Sequence, residues 1–296
     1  MNDYALELYK RKLVEVMASF EDFCKNNSLQ YYACSGTAIG AIRHKGFIPW
    51  DDDIDVYMPR PDYNRLMAIR GNLQGTGYAI KNIGDDEYVY AFAKYYDDRT
   101  TLVEMEYFPK CVLGVYIDIF PLDEVAGTFE DIVKKKNNYT LEYRHFQNTF
   151  LSITPKIILS ALFHRQFEKF FELLSLLVMS QKKKEKIRKR FANIEKKWSE
   201  EHGDMVMTHT CIYSLRKELF PKQWFRDFIY ADFEDIQIRL SKENDRYLTQ
   251  LFGDYMTPPP ESKRVSEHSH YYLNLKEKLN LDQIKDRIQQ GEHLVY

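Results

Sequence analysis

A cluster of aspartates carries the clearest chemical signal in this 296-residue sequence. In residues 50–56, a strand would place Asp51, Asp53 and Asp55 on one face and Asp52 on the other, because side chains alternate along a strand. Adjacent carboxylates repel each other unless a cation neutralises them, and hard oxygen ligands suit Mg²⁺ or Mn²⁺. The run therefore predicts a divalent-metal site that also binds substrate phosphates.

An acidic turn in solvent is the main alternative for such a run. The apolar neighbours Trp50, Ile54 and Val56 favour a half-buried strand instead, where carboxylates without a cation would be costly. A calcium-binding EF-hand loop that starts at Asp51 would need glycine at its sixth position and glutamate at its twelfth. Val56 and Asp62 stand there, so the run is a poor match to this loop type.

Two further features complete a possible phosphate site. Ser35-Gly36-Thr37 lies between a predicted strand and a predicted short helix, where glycine lets the backbone approach a ligand and the helix start favours anions. Asp118 is the lone acid in the apolar run 115–120. Glycine with Ser or Thr, a short helix, two carboxylates and a later third one are typical of the nucleotidyltransferase fold. A structural aspartate paired with an arginine is the competing interpretation of Asp118.

Arg43, His44 and Lys45 lie between the glycine and the aspartates. They suit a substrate that carries more negative charge than a metal neutralises, and arginine can bind a phosphate with two hydrogen bonds. Taken singly, each of these side chains could equally be an ordinary surface charge.

The helices and strands predicted around these residues indicate an α+β fold, with a nucleotidyltransferase-like mixed sheet and packed helices. Apolar spacing predicts helices at 6–26, 38–43, 61–73, 129–150, 155–180, 182–201 and 242–252. Alternation and turn residues predict strands at 29–34, 54–58, 78–83, 88–96, 100–105, 112–120 and 233–239. We expect a catalytic core at 1–127, a helical region at 128–230 and a C-terminal part, 231–296, that returns to the active site.

Composition limits the remaining possibilities. The formal net charge of −2 argues against a nucleic-acid partner. The four cysteines lack metal or disulfide spacing and no signal peptide is visible at the N-terminus, so a cytoplasmic location is expected. Residues 156–190 join an apolar stretch, too interrupted by charges to span a membrane, to a basic run. They predict either peripheral membrane association at the inner face of the cell membrane or a core helix followed by a solvated one.

The stretch 35–55 closely resembles the signature of the LicD family. The run 118–123 is similar to that family's second block, and 252–259 resembles its C-terminal block. The resemblance covers roughly residues 4–270, with no recognised motif in 129–200. It implies a phosphotransferase that moves a substituted phosphate, most often phosphocholine from CDP-choline, onto a hydroxyl of a cell-surface glycan or its lipid-linked precursor, such as teichoic acid or capsular polysaccharide, and releases CMP. Fukutin-type ribitol-phosphate transferases are its distant relatives.

The resemblance also implies roles for individual residues. It assigns one or two Mg²⁺ ions to Asp51, Asp53, Asp55 and Asp118, and catalysis to the last three. Asp118 would accept the proton of the acceptor hydroxyl. Substrate binding falls to Ser35, Gly36, Thr37, Arg43, His44 and Lys45, and His268 would close the site.

Several alternatives stay open at this stage. The transferred group could be phosphoglycerol or phosphoribitol, because a choline pocket needs an aromatic cage whose walls the sequence does not identify. A metal-dependent glycosyltransferase also uses an Asp-x-Asp pattern, but it would place a longer nucleotide-binding unit before it. A nucleotidyltransferase that makes a CDP-linked precursor would release pyrophosphate. A non-catalytic assembly partner would not need intact acids at Asp53, Asp55 and Asp118.

Overall fold

The computed structural model describes residues 3–210, 213–266, 268 and 270–296. Its strands are β1 (Tyr32–Ala33), β2 (Asp55–Pro59), β3 (Tyr78–Lys81), β4 (Ala93–Asp97), β5 (Thr101–Val103), β6 (Tyr116–Val125), β7 (Met205–Met207), β8 (Phe220–Pro221), β9 (Phe228–Phe233), β10 (Ile236–Ser241), β11 (Tyr272–Asn274) and β12 (Leu294–Val295). Its helices are α1 (Asp3–Asn26), α2 (Ser35–His44), α3 (Arg60–Ile69), α4 (Phe129–Asn148), α5 (Pro155–Phe163), α6 (Phe167–Leu177), α7 (Gln181–Ser199), α8 (Leu215–Glu218), α9 (Asn244–Phe252) and α10 (Leu281–Gln289). The predicted α+β class is confirmed.

The central sheet is mixed and brings distant parts of the chain together. Its strands follow the order β1, β2, β6, β4, β3, with β7 paired to β6 and β8 paired to β7. β2 and β6 run parallel, and their register sets Asp55 directly beside Asp118. β4 is antiparallel to β6 and sets Lys94 beside the same Asp118. Three charged residues from three strands therefore lie in one row across the sheet.

Helix α1 packs against this sheet along the predicted apolar stripe. Tyr9, Leu13, Val16 and Phe20 lie on that stripe, and each is almost fully buried in the main core. The spacing of three and four residues puts them on one side of a helix, so they all leave water together. Burial of a large apolar side chain contributes roughly 2 kcal/mol, which explains why this long helix is held in place.

A second apolar core lies between α4, α7 and β7. Its fully buried members include Tyr139, Phe146 and Phe191. Next to this region, a buried ion pair joins α3 to β6, the strand that pairs with β7: Arg60 donates from Nε and Nη2 to the two carboxylate oxygens of Asp123, at 2.5 and 2.6 Å. Such a paired geometry offsets the cost of removing both charges from water.

Some element boundaries differ from the sequence-based predictions. The predicted helix 155–180 is broken into α5 and α6, because Arg165 adopts a left-handed φ of 55° that a continuing helix does not allow. The predicted strand 88–96 begins only at Ala93, and the single predicted strand 233–239 is the β9–β10 hairpin. Cys24, Cys34 and Cys111 are buried free thiols, whereas Cys211 lies outside the described residues.

Candidate active site

One open cleft of about 750 Å³ collects most of the predicted site residues. The four carboxylates of Asp51, Asp53, Asp55 and Asp118 line it together. Asp52 does not line it and is only 3% exposed. The alternation expected for this run is therefore present, although residues 51–54 lie before the start of β2, outside the regular elements.

Local hydrogen bonds explain how this acidic segment is held. The Asp55 amide donates to Thr37 Oγ1 at 2.9 Å, and the Cys34 amide donates to the Asp55 carbonyl at 3.0 Å. On the other side, the Asp118 amide donates to the Ile54 carbonyl at 2.9 Å. The start of α2 and the edge of β6 therefore fix the backbone on both sides of Asp55, so its carboxylate has a defined direction.

The start of α2 forms the floor of the cleft. Ser35 has a φ of 48°, a left-handed conformation that costs a non-glycine residue of order 1 kcal/mol, and its amide donates to the hydroxyl of Tyr247 at 2.7 Å. At Gly36, a side chain would overlap Oδ2 of Asp51, so only glycine lets this carboxylate lie against the helix. Ser35 and Gly36 both line the cleft.

The carboxylates of the cleft favour a cation. Burial and the neighbouring charge of Asp53 raise the pKa of Asp51 to about 8, and burial with the charges of Asp53 and Asp118 raises the pKa of Asp55 well above its usual range. Burial also raises the pKa of Asp53. Each shift records the cost of crowding negative charge in a partly desolvated place. Four oxygen donors of this kind fit Mg²⁺ or Mn²⁺, and that assignment stays a prediction.

His268 and Asp52 form an ion pair at the rim of the acidic group. His268 Nδ1 lies 2.8 Å from Asp52 Oδ1, and its Nε2 lies 3.3 Å from Asp53 Oδ2. The hydrogen bond with Asp52 raises the pKa of His268 to about 9. Asp52 also accepts a hydrogen bond from the hydroxyl of Ser266 at 2.8 Å.

Asp51, Asp52 and His268 form a group of three potential ligand atoms within 4.8 Å of one another in the described part of the chain. A protonated imidazole has no lone pair for a metal, because both of its nitrogens donate. We therefore interpret this group as an ion pair. The His268 imidazolium places a positive charge beside Asp53 and holds the Asp52 carboxylate outside the cleft.

Lys94 is a site residue that the sequence-based prediction missed. Its side chain is 1% exposed, and Nζ donates to Asp118 Oδ1 at 2.7 Å while lying 3.5 Å from Glu104 Oε2. The ring of Tyr116 covers the ammonium at 3.4 Å, a cation–π contact. The available signal was a lone lysine inside the apolar run 91–96, the same reasoning that singled out Asp118.

The Lys94 ammonium controls the charge of two carboxyl groups. Burial raises the pKa of Asp118, and Lys94 opposes this effect, so the pKa is about 6. Asp118 is therefore a carboxylate at neutral pH. Burial would also raise the pKa of Glu104, yet Lys94 and the hydroxyls of Tyr116 and Tyr90 lower it to about 2. The partner of Asp118 is thus a lysine and not the arginine of the competing interpretation.

The predicted substrate contacts divide into two groups. Arg43 lines the cleft and donates to the Tyr255 carbonyl at 2.7 Å, and Lys263 adds a second cation that the sequence reasoning had not singled out. Three predicted residues are not among the described residues that line the cleft: Thr37, His44 and Lys45. The Thr37 hydroxyl binds the Asp55 amide, His44 accepts from Arg43 Nε at 2.9 Å, and the Lys45 side chain is exposed.

Comparison with known proteins finds a matching family model and several relatives. Residues 28–170 match the family model described as "LicD/FKTN/FKRP, nucleotidyltransferase domain". Over 271 residues, the chain is 29% identical to the "Lipopolysaccharide cholinephosphotransferase LicD" of Haemophilus influenzae, an alignment that covers 89% of this chain and 96% of that protein.

Shorter alignments connect the same chain to two uncharacterized proteins. One, from Rickettsia typhi, is 35% identical over 78 residues, which are 26% of this chain and 24% of that protein. The other, from Rickettsia prowazekii, is 34% identical over 76 residues, which are 26% of this chain and 27% of that protein. The domain match over 28–170 contains the glycine turn and all four cleft carboxylates, and the long alignment extends it over most of the chain. Residues 28–170 therefore form a LicD-family domain.

Proposed function

We propose that this chain is a metal-dependent phosphotransferase that moves phosphocholine from a CDP-linked donor to a hydroxyl of a cell-surface glycan or its lipid-linked precursor, with release of CMP. The observation that carries the proposal is the single cleft in which four carboxylates face the glycine turn at the start of α2. The Haemophilus relative supports the choline head group and a glycan acceptor, because its name states cholinephosphotransfer to lipopolysaccharide. A cytoplasmic site of action belongs to the same proposal.

The chain's own residues would bind and orient the donor. Asp51, Asp53, Asp55 and Asp118 would hold Mg²⁺, which supplies charge neutralisation for the diphosphate and for the leaving CMP. The Gly36 turn and the cations Arg43 and Lys263 line the same cleft and suit the remaining phosphate charge.

Asp118 is the proposed acceptor for the proton of the attacking hydroxyl. Because Lys94 keeps its pKa at about 6, Asp118 is ionised near neutral pH yet more basic than an ordinary aspartate. The hydroxyl oxygen would then form a bond to the distal phosphorus as the bond to the CMP oxygen breaks, and the proton would remain on Asp118 Oδ2 or pass to solvent.

An aromatic wall near Asp118 suits a quaternary ammonium. Phe92 and Phe120 both line the cleft, with ring centroids 4.4 Å apart, and each ring is partly exposed. Aromatic faces attract a cation that has no hydrogens to donate, as in choline. Glycerol and ribitol lack that charge and would need polar contacts instead. The wall therefore favours phosphocholine over the two alternative head groups.

The test is incubation of the protein with CDP-choline, CDP-glycerol or CDP-ribitol in Mg²⁺, with CMP measured. We expect CMP from CDP-choline, and we expect Phe92→Ala to raise KM for that donor about tenfold through loss of the cation–π contact. CMP release from CDP-glycerol or CDP-ribitol instead would reassign the head group. Formation of pyrophosphate from a nucleoside triphosphate would replace the transferase proposal with precursor synthesis.

A glycosyltransferase is less consistent with the fold. That class would place a long nucleotide-binding unit before its Asp-x-Asp pattern. In the described residues, only α1, β1 and α2 precede Asp51. Incubation with a sugar nucleotide is the matching control, and we expect no nucleotide release from it.

A further inference from the structure

The α5–α6 pair exposes large apolar side chains that a soluble surface rarely shows. On α6 and the residue that follows it, these side chains recur at spacings of three and four, so they share one face. Two more lie on α5, and the full set is Leu159, Phe163, Phe167, Phe171, Leu174 and Val178. Phe163 is 85% exposed and Val178 is 84% exposed. The opposite face of α6 is already used, because Leu173 and Leu176 are buried.

These helices do not cross a bilayer. No helix in the described ranges is long and apolar enough to do so. At about 1.5 Å per residue, α5 and α6 are each roughly half as long as the hydrocarbon core is thick. Short helices with one apolar face instead lie in the plane of a membrane surface, with that face in the headgroup region.

The start of α7 supplies the charge that such a surface needs. Residues 156–190 contain ten lysines and arginines against three glutamates, whereas the whole chain has a net charge of −2. Arg190 pairs with Glu142 at 2.6 Å, and Arg188 donates to Thr149 Oγ1 at 2.8 Å. In the part of the chain that the structure describes, the five lysines Lys182, Lys183, Lys184, Lys186 and Lys189 have no ion pair.

We propose that α5, α6 and the first half of α7 form a docking surface for an anionic lipid bilayer. Exposed apolar side chains that are followed directly in the chain by unpaired lysines match a layer of acyl chains under anionic headgroups. A second copy of the same surface is disfavoured, because it would bring two lysine clusters together. Docking would hold the cleft near a lipid-linked acceptor. This consequence rests on the proposed function, whereas membrane binding itself does not depend on it.

The test uses the full chain and large unilamellar vesicles in a sedimentation assay. We expect binding to vesicles of phosphatidylglycerol and phosphatidylcholine, weak binding to phosphatidylcholine alone, and weaker binding as salt rises. A triple Lys182→Gln, Lys183→Gln, Lys186→Gln variant should bind the anionic vesicles about a hundredfold less, because each lost lysine charge contributes roughly fivefold. Phe163→Glu with Phe171→Glu should reduce binding to both vesicle types at least tenfold.

Ile229→Glu is the matched control, because Ile229 is 43% exposed on β9, outside the proposed surface. It should bind vesicles like the wild type. The proposal is overturned if the wild type ignores anionic vesicles, if the control loses as much binding as the α5–α6 double variant, or if that variant only dissociates a dimer in solution. CMP release from a soluble donor should be the same in wild type and all three variants. If neither the wild type nor any variant releases CMP while the wild type still binds vesicles, the proposed function is refuted and the docking surface is not.

Discussion

Gly36→Ala separates the stability of the fold from the geometry of the acidic cleft. An alanine Cβ at this position would overlap Oδ2 of Asp51, and ordinary contact requires that oxygen to move by about 1 Å. The displaced atom is the end of a side chain, so the backbone does not need to shift. Alanine is also about 1 kcal/mol more favourable than glycine inside a helix. We therefore expect unchanged or slightly higher resistance to urea.

The reaction should respond in the opposite direction. A displacement of about 1 Å in a catalytic group can cost about a hundredfold in rate, so kcat/KM for CMP release should fall between about tenfold and a hundredfold. Affinity for Mn²⁺, measured by isothermal titration calorimetry, should fall as well, because one of the four oxygen ligands is misplaced. The calorimetry does not depend on the identity of the donor.

Gly71→Ala is the matched control. Gly71 lies in a single 3-10 turn before β3, and an alanine Cβ there would meet nothing within 4 Å. This variant should keep wild-type activity and Mn²⁺ affinity. If Gly36→Ala behaves in the same way as Gly71→Ala, the close approach of Asp51 to the start of α2 has no role in the reaction, and the reasoning fails.

Three further predictions test the charges of the site and of the core. At about a hundred times its Kd, Mg²⁺ should stabilise the wild type by about 2.7 kcal/mol in thermal unfolding, and most of that gain should be absent in Asp53→Asn. An Asp53→Asn variant with full activity would refute the metal site. Lys94→Met removes the cation beside Asp118 and should shift the acidic limb of the pH–rate profile to higher pH, because the pKa of Asp118 then rises further; a profile unchanged in position would contradict this. Asp123→Asn removes the bidentate partner of buried Arg60, leaving Glu195 Oε2 at 3.9 Å as its nearest carboxylate, and should lower the free energy of unfolding by about 3 kcal/mol at pH 7. Against the effect of burial, Arg60 and His209 lower the pKa of Asp123 to about 2. The wild type should therefore lose this stabilisation as pH falls from about 4 to about 2. In urea unfolding, the free energy of unfolding of the variant should change less with pH over the same range.

Much of the candidate site is predictable from sequence because it depends on short-range geometry. Alternation along an extended chain is a covalent property, and it separated Asp52 from Asp51, Asp53 and Asp55 without knowledge of the fold. The apolar stripe of α1 is predictable for the same reason. Asp118 was identifiable because an isolated charge in an apolar run has to be explained by a partner or a ligand.

Local patterns were less reliable where a backbone choice or a hydrogen bond depends on packing. The apolar run 155–180 has helical composition throughout, yet the left-handed turn at Arg165 divides it into two helices that pack together. Thr37 has the residue type of a phosphate ligand, but its hydroxyl accepts from the Asp55 amide once β2 lies beside α2. The assignment of the helical region to 128–230 stays a prediction.

By itself, the sequence determined which residues carry the chemistry: the acidic run, the glycine turn before it and the single acid of the later strand. Only the tertiary structure decided what surrounds their charges. Asp52 is bound by His268, which is 216 positions away in the chain. Lys94 reaches Asp118 because β4 and β6 are antiparallel neighbours in the sheet. Electrostatic interactions depend on distance in space and on burial, and neither quantity can be calculated from separation along the chain.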